Sequence, residues 1–242
     1  MYLVADAGNT RIKLAVFDGG KMVHLQVHRE WSSASIVDLL RLFPGIERSL
    51  FCAVREVPDW LPIVLNSHNV IYQELNHTMP LPIRIGYQTP ETLGHDRIAV
   101  AAGAADQFPG TNVLAIDAGT ALTMDLVTAD GDYPGGTISP GLRMRFSALH
   151  QQTFSLPEVK PEDDIPLIGL NTHDAILAGV VNGMIYEVDN SINSLKNKYN
   201  DLNVILTGGD ARYLSSHLKN TIFVNENLVL NGLSSILRNF SA

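Results

Sequence analysis

The sequence predicts an α/β protein made of two similar halves, and two observations support this prediction. A hydrophobic segment that ends in Asp-Ala-Gly and leads into a second hydrophobic segment occurs twice, at Val4–Phe17 and at Ala115–Val127. After each copy the same order of elements follows, with hairpin strands first and then alternating helices and strands. We interpret the two copies as an internal duplication of one α/β unit, with a boundary near residues 107–112.

The first half begins with three predicted strands in an antiparallel meander, in which Gly19 and Gly20 form the second turn. Apolar residues at helical spacing follow, and the pattern then alternates between strand and helix until an Ala-rich helix ends the half. The predicted strands lie at 2–6, 11–17, 22–27, 49–54 and 69–75, and the predicted helices at 32–42, 57–66 and 97–107.

The second half repeats this order. Two strands are followed by a loop rich in Gly and Pro, a helix, a polar linker and the longest helix, which runs from Thr172 to about Tyr199. The predicted strands lie at 113–117, 122–128, 203–207 and 221–224, the loop at 135–141, and the other helices at 142–150 and 226–237.

The composition is typical of a soluble globular protein that can bury a sizeable core. The chain has 242 residues, of which 45% are hydrophobic and 17% charged. A net charge of −8 without a cluster of Lys and Arg argues against nucleic acid as a partner. The single cysteine, Cys52, excludes an internal disulfide and is interpreted as a core residue in a reducing compartment. Without a signal peptide or an apolar run of about 18–20 residues, we expect a cytoplasmic protein with no membrane contact.

The repeated Asp-Ala-Gly loops indicate phosphate binding. Glycine lets a ligand oxygen approach the backbone, and a Thr hydroxyl and backbone N–H groups can bind phosphate oxygens. The aspartate can hold a hydrated divalent cation. A single Asp-x-Gly can simply close a β-turn, but two copies in similar halves favour a pair of loops that bind a nucleoside triphosphate across a cleft. The sequence has no GxxxxGK[ST] loop and no GxGxxG after a strand.

Four motifs occur in the order found in one known family. They are Asp-x-Gly-Asn-Thr-x-x-Lys at Asp6–Lys13, Gly-x-Asp-Arg at Gly94–Arg97, Asp-x-Gly-Thr-Ala-x-Thr-x-Asp at Asp117–Asp125, and Gly-Gly-x-Ile-x-Pro-Gly at Gly135–Gly141. Over its whole length the chain resembles the type III pantothenate kinases, within the superfamily of acetate and sugar kinases, heat-shock protein 70 and actin. The resemblance implies two duplicated ribonuclease-H-like domains, 1–108 and 109–242, with an ATP cleft between them. It also implies ATP-dependent phosphorylation of pantothenate to 4'-phosphopantothenate, the first step of coenzyme A biosynthesis.

The resemblance implies a role for each motif. Asp96 would be the base near the pantothenate hydroxyl, and Asp117 would lie beside a monovalent cation, K⁺ or NH₄⁺, while Mg²⁺ would accompany ATP. The residues implied to hold ATP and its metal are Asp6, Ala7, Gly8, Asn9, Thr10, Arg11, Ile12, Lys13 and Thr120. The residues implied to contact pantothenate are Tyr87, Gly94, His95, Asp96, Arg97 and Thr172.

Several of these residues have a second interpretation. Arg97 could pair with a surface carboxylate instead of binding the substrate carboxylate with both guanidinium nitrogens. Thr172 could cap a helix as well as contact the substrate. His95, a lone histidine inside its motif, is interpreted as a packing or indirect contact rather than a catalytic group, and Asp125 as a strand-end cap.

The sequence leaves two other functions open, and the resemblance implies an oligomeric state. The chain could be a kinase or phosphatase of the same superfamily that acts on a sugar or polyphosphate, although the Gly-His-Asp-Arg loop argues against this. It could be a nucleotide-binding regulator without catalysis, although such a protein would not need Asp6, Lys13, Asp96 and Asp117 together. The resemblance also implies a homodimer, and the long apolar-faced helix at Thr172–Tyr199 could form part of its interface.

Overall fold

A computed structural model describes residues 1–240, which fall into two units. Unit 1 contains Met1–Pro109, Asp130–Pro134 and the residues from Asn227 onward, and unit 2 contains Gly110–Ala129 and Gly135–Glu226. The first division, after Pro109, lies one residue from the predicted boundary. Two later segments belong to unit 1 because they pack on its elements. As limits of the duplicated halves, 1–108 and 109–242 stay a prediction.

The secondary structure of the described residues follows the predicted order and adds three short elements that were not predicted, at 84–85, 132–133 and 211–215. The strands are β1 (Tyr2–Ala7), β2 (Ile12–Asp18), β3 (Lys21–His28), β4 (Arg48–Ala53), β5 (Ile71–Glu74), β6 (Arg84–Ile85), β7 (Val113–Ala118), β8 (Ala121–Val127), β9 (Asp132–Tyr133), β10 (Gly135–Pro140), β11 (Asn203–Thr207) and β12 (Phe223–Val224). The helices are α1 (Ser33–Leu42), α2 (Trp60–Ser67), α3 (His95–Gln107), α4 (Leu142–Gln151), α5 (Thr172–Lys196), α6 (Ala211–Ser215) and α7 (Leu228–Asn239), with a 3₁₀ turn at Pro90–Thr92.

Each unit contains a five-stranded mixed sheet, and the two sheets have the same topology. The strand order is β3-β2-β1-β4-β5 in unit 1 and β10-β8-β7-β11-β12 in unit 2. In unit 1 the strands β1, β2 and β3 form an antiparallel meander, and β4 and β5 run parallel to β1. In unit 2 the strands β7, β8 and β10 form the same meander, and β11 and β12 run parallel to β7. The shared topology confirms the fold that the repeated loop predicted.

The segment 135–141 was predicted as a loop, and this prediction was wrong. Residues Gly135–Pro140 form β10, which pairs with β8 along its whole length. Pro140 is tolerated because it ends an edge strand. Gly136 is required because a Cβ there would lie 2.0 Å from the carbonyl oxygen of Met124 on β8. The close approach of the β8 backbone therefore explains why β10 contains glycine where a loop was expected.

Helix α7, at the end of the chain, packs against α3 and the sheet of unit 1. Two glycines let α3 and α7 cross at close contact. A Cβ on Gly232 would lie 1.8 Å from the carbonyl oxygen of Ala99, and one on Gly103 would lie 2.5 Å from that of Leu228. On the opposite face of the same sheet, α1 and α2 cover apolar residues of β1 and β2. This packing holds α3, whose first turn carries Asp96 and Arg97.

The core of unit 2 lies between its sheet and α5. The apolar side chains of α5 recur at helical spacing and are buried, as the sequence predicts: Ile176, Val180, Met184, Val188 and Ile192. Among residues 1–240, no helix is long and apolar enough to cross a membrane.

Candidate active site

The first Asp-Ala-Gly loop connects β1 to β2 in unit 1. Asp6 lies one residue before the end of β1 and is paired with Lys13 across the hairpin. The N–H of Gly8 donates a 3.0 Å hydrogen bond to the carbonyl of Arg11, which closes the turn. Lys13 Nζ donates to Asn227 Oδ1 at 3.4 Å. The loop therefore places a carboxylate and an ammonium group beside a turn whose tip is exposed.

The other residues of this loop that were predicted to hold ATP differ in how exposed they are. Asn9, Thr10 and Arg11 are exposed at the tip. Ala7 and Ile12 are buried in the core of unit 1, at 1% and 0% exposure. The side chains of Ala7 and Ile12 are therefore closed to a ligand, whereas the three tip residues are open to one.

A second carboxylate, that of Asp96, lies close enough to Asp6 to affect its ionisation. Burial raises the pKa of Asp6 from 3.8 to about 6, Lys13 lowers it, and the negative charge of Asp96 raises it. The described residues contain no cluster of three or more His, Cys, Asp or Glu side chains that could hold a metal. Mg²⁺ in proteins is often bound by one or two carboxylates and takes its other ligands from phosphate oxygens and water.

Asp96 belongs to the first turn of α3. Its Oδ1 accepts a 2.9 Å hydrogen bond from the N–H of Arg97. Gly94 precedes the helix, and a Cβ there would lie 2.5 Å from Asp96 Oδ1. The partial positive charge of a helix N-terminus favours a carboxylate at this position. The glycine and the helix end together hold the Asp96 carboxylate in place.

Arg97 is buried, with 5% of its surface exposed. Its guanidinium carbon lies 5.7 Å from the centroid of the Tyr87 ring. Arg97 therefore does not lie on the surface, and its contact with the substrate carboxylate stays a prediction. A buried guanidinium stacked on an aromatic ring is suited to bind a carboxylate in fixed geometry. His95, the first residue of α3, is half-buried.

The second Asp-Ala-Gly loop connects β7 to β8 in unit 2. Asp117 lies one residue before the end of β7, as Asp6 does in β1. The N–H of Gly119 donates to the carbonyl of Ala121 at 3.0 Å, and Thr120 is exposed at the tip. The Asp117 carboxylate faces the turn that follows β11, where a Cβ on Gly208 would lie 2.4 Å from Asp117 Oδ1.

The turn Gly208–Asp210 is a part of this site that the sequence analysis did not identify. Gly208 has φ +99°, which favours glycine. The N–H of Asp210 donates to the carbonyl of Ala118 at 2.9 Å, so the turn is bonded to the second loop. Burial raises the pKa of Asp210, and Arg143, 3.8 Å away, opposes this shift. The signal in the sequence was a Gly-Gly pair directly after a buried strand.

Two interpretations of single residues were wrong. Thr172 is the exposed first residue of α5, and the cap is Asn171, whose Oδ1 accepts the N–H of Asp174 at 2.9 Å. Asp125 lies inside β8 and is completely buried, so it does not cap a strand end. Cys52 is buried in β4, as predicted.

Comparison with known proteins gives one consistent family. The model of the family described as type III pantothenate kinase matches residues 2–194. A type III pantothenate kinase from Christiangramia forsetii is 44% identical over 238 residues, covering 98% of each chain. One from Bacteroides fragilis is 42% identical over 237 residues, covering 98% of this chain and 97% of its own.

A solved structure shows the same fold. A Sinorhizobium meliloti protein, provisionally named a 2-dehydro-3-deoxygalactonokinase, has a TM-score of 0.59 at 14% identity, covering 99% of each chain. At this identity the likeness concerns the fold alone, which is that of two ribonuclease-H-like domains. The sequence relatives are far more similar and match almost from end to end, and the chain belongs to the type III pantothenate kinase family.

Proposed function

We propose that this chain transfers the γ-phosphoryl group of ATP to the primary hydroxyl of pantothenate, with Asp96 as the base. The product is 4'-phosphopantothenate, and the reaction is the first step of coenzyme A biosynthesis. Family membership supports the reaction. The placement of Asp96 supports its role, because a carboxylate at the start of α3 lies near Asp6 and beside the buried Arg97.

The first loop of unit 1 is proposed to bind the phosphates. In-line phosphoryl transfer needs positioning and neutralisation of charge more than covalent chemistry from the protein. Lys13 supplies a positive charge, and the backbone N–H groups at the exposed tip can donate to phosphate oxygens. Asp6 would hold Mg²⁺, which neutralises charge on the phosphates during transfer.

Asp96 and Arg97 are proposed to act on pantothenate. An ionised Asp96 within hydrogen-bond reach of the hydroxyl would orient it and accept its proton late in the transfer. Arg97 would bind the substrate carboxylate with two parallel hydrogen bonds, and Tyr87 limits the orientations that the guanidinium can adopt. Contacts of His95 and Thr172 with pantothenate stay predictions from the family motif.

A monovalent cation at Asp117 is the third part of the proposal. K⁺ and NH₄⁺ are bound by carboxylate and carbonyl oxygens. The Asp117 carboxylate and the Ala118 carbonyl both lie within about 2.5 Å of the point that a Cβ on Gly208 would occupy. Thr120, at the exposed tip of the same loop, is proposed to contact ATP. Equal rates in sodium-only and potassium buffers would show that the monovalent site is absent.

A coupled ADP-release assay tests the reaction. We expect ATP turnover with pantothenate and little turnover without an added acceptor or with a sugar or polyphosphate. Turnover with a sugar instead would identify another kinase of the superfamily. ATP binding without turnover on any acceptor would identify a nucleotide-binding regulator.

The assembly and location of the enzyme are also proposals. We propose a homodimer in which α5 forms part of the interface. On α5, Gly179 is exposed and Tyr186 has 47% of its surface exposed. We place the enzyme in the cytoplasm, because its single cysteine, Cys52, suits a reducing compartment.

A further inference from the structure

Arg55, which follows β4 in unit 1, is bonded to the first Asp-Ala-Gly loop. Its Nε donates to the carbonyl of Gly8 at 2.9 Å, and its Nη2 donates to the carbonyl of Asn9 at 2.6 Å. Its Nη1 donates to the carbonyl of Arg29, at the end of the meander, at 3.0 Å. One guanidinium group thus connects two successive peptide groups of the loop to a third, distant segment of the backbone.

These bonds determine where the loop's N–H groups point. In a trans peptide the C=O and the following N–H are antiparallel within one plane. Because the Gly8 carbonyl points to Arg55, the N–H of Asn9 points away from it. Because the Asn9 carbonyl also points to Arg55, the N–H of Thr10 points away from Arg55 as well. Two successive N–H groups are therefore presented on the side of the loop opposite Arg55, and such an arrangement can bind an anion.

We infer that Arg55 is a positioning residue for phosphoryl transfer: it orients the Gly8–Asn9 and Asn9–Thr10 peptide planes so that their N–H groups bind the phosphates of ATP. The inference rests on the proposed function of the first loop. Arg55 acts through the backbone of the loop. Its fixed fork matters more than its charge, since several carbonyls in different directions must be bound at once.

The second loop is held differently, which explains why one loop uses an arginine. Each loop is closed by a bond from its glycine N–H, but in unit 2 the carbonyl of Thr120 at the tip also accepts the N–H of Gly141 at 3.1 Å. Neighbouring backbone therefore holds the tip of that loop. The first loop is two residues longer between its aspartate and the next strand, and Arg55 bonds to the tip that these extra residues create.

The fold depends on Arg55 less than the inferred ATP binding does. The loop tip and Arg55 are partly exposed, so water can replace the guanidinium at the carbonyl groups. Loss of Arg55 would free the peptide planes to rotate without leaving buried polar groups unpaired. This separates its effect on ATP binding from an effect on stability.

The test uses Arg55→Ala and Arg55→Lys, with Arg41→Ala as the control. Arg41 is an exposed arginine on α1, and its guanidinium lies 3.8 Å from the Asp38 carboxylate. Steady-state kinetics give KM for ATP and for pantothenate, calorimetry gives Kd for ATP, and thermal melting gives Tm.

For Arg55→Ala we expect KM and Kd for ATP to rise about 10- to 100-fold. We expect KM for pantothenate to stay within about twofold and Tm to fall by only about 2–4 °C. Arg55→Lys should lose about fivefold or more in ATP affinity, and Arg41→Ala should change none of these values.

Three results would overturn the inference. One is an unchanged Kd for ATP in Arg55→Ala. Another is wild-type ATP affinity in Arg55→Lys, which would show that charge alone is needed. The third is a parallel rise of both KM values with a large loss of Tm, which would indicate a structural role. If the wild type binds ATP but does not phosphorylate pantothenate, the proposed function fails, and the calorimetric comparison still decides the role of Arg55.

Discussion

At the scale of single residues, Asp6 shows how burial and neighbouring charges set the ionisation of a carboxylate that is proposed to bind a ligand. Its pKa is raised to about 6 in the folded chain, first by burial, against 3.8 for an ordinary aspartate. Between these two pH values the folded state binds more protons than the unfolded state. By linkage, the contribution of Asp6 to stability is therefore largest below about pH 4 and is lost as the pH rises through 6.

Replacing Asp6 with Asn should remove this pH dependence. We expect the free energy of unfolding of the wild type, relative to Asp6→Asn, to fall by about 1–3 kcal/mol between pH 4 and pH 7. Urea unfolding of both proteins at several pH values measures the difference, and other titrating groups cancel because the two chains share them. A constant difference across this range would mean that Asp6 has an ordinary pKa.

Gly94 tests whether the position of the Asp96 carboxylate matters. A Cβ on Gly94 would lie 2.5 Å from Asp96 Oδ1, and its φ of −56° permits alanine. Gly94→Ala should therefore move the carboxylate without straining the backbone, and we expect kcat to fall about 10- to 100-fold. Gly45→Ala is the control, since its nearest neighbour would be the Met1 sulfur at 3.6 Å. A Gly94→Ala enzyme with wild-type kcat would show that the position of Asp96 is not critical.

At the scale of elements, the turn after β11 has one glycine that is required and one that is not. Gly208 has φ +99°, and a Cβ there would lie 2.5 Å from the backbone of Ala118, whereas Gly209 has no atom within 4 Å of a Cβ. We expect Gly208→Ala to destabilise unit 2 by about 1–3 kcal/mol and Gly209→Ala to be nearly neutral. Chemical denaturation of the two variants gives the comparison. Equal stabilities would contradict the strain assigned to Gly208.

Most strands and helices were predictable because they bury one face and so show a period in the sequence. The strand β10 was missed because Gly136 and Pro140 obscure that period, and the reason for Gly136 is contact with another strand. The packing of α7 on unit 1 was missed for a similar reason. Gly103 and Gly232 lie far apart in sequence, and neither reveals the other.

The candidate site was predictable where its chemistry lies in short motifs. The carboxylates of the two repeated loops and the Asp96–Arg97 pair could be named from the sequence, although their roles stay proposals. The burial of Arg97 could not be predicted, because it depends on the packing around α3. Arg55 was also missed, since an arginine that binds only backbone carbonyls has no motif of its own.

At the scale of the whole molecule, the proposed homodimer gives a prediction. Leu167, Ile168 and Leu170, just before α5, are 77%, 75% and 94% exposed, and exposed apolar residues on this scale often mark interfaces. We expect light scattering at micromolar concentration to give twice the chain mass of 26.4 kDa. Gly179→Arg on α5 should give monomers, while Ala34→Arg on α1 should not. A wild type that is monomeric under these conditions would contradict the proposal.

The most direct test of the central claim is kcat for the Asp96→Asn enzyme, measured by pantothenate-dependent ADP release beside the wild type. Asn keeps the shape of the side chain and removes the proton acceptor. We predict that kcat falls by roughly 10²–10⁴, while Kd for ATP changes little. This corresponds to about 3–5 kcal/mol of transition-state stabilisation. A variant that retains more than about a tenth of the wild-type kcat would contradict the account and assign the base to another residue.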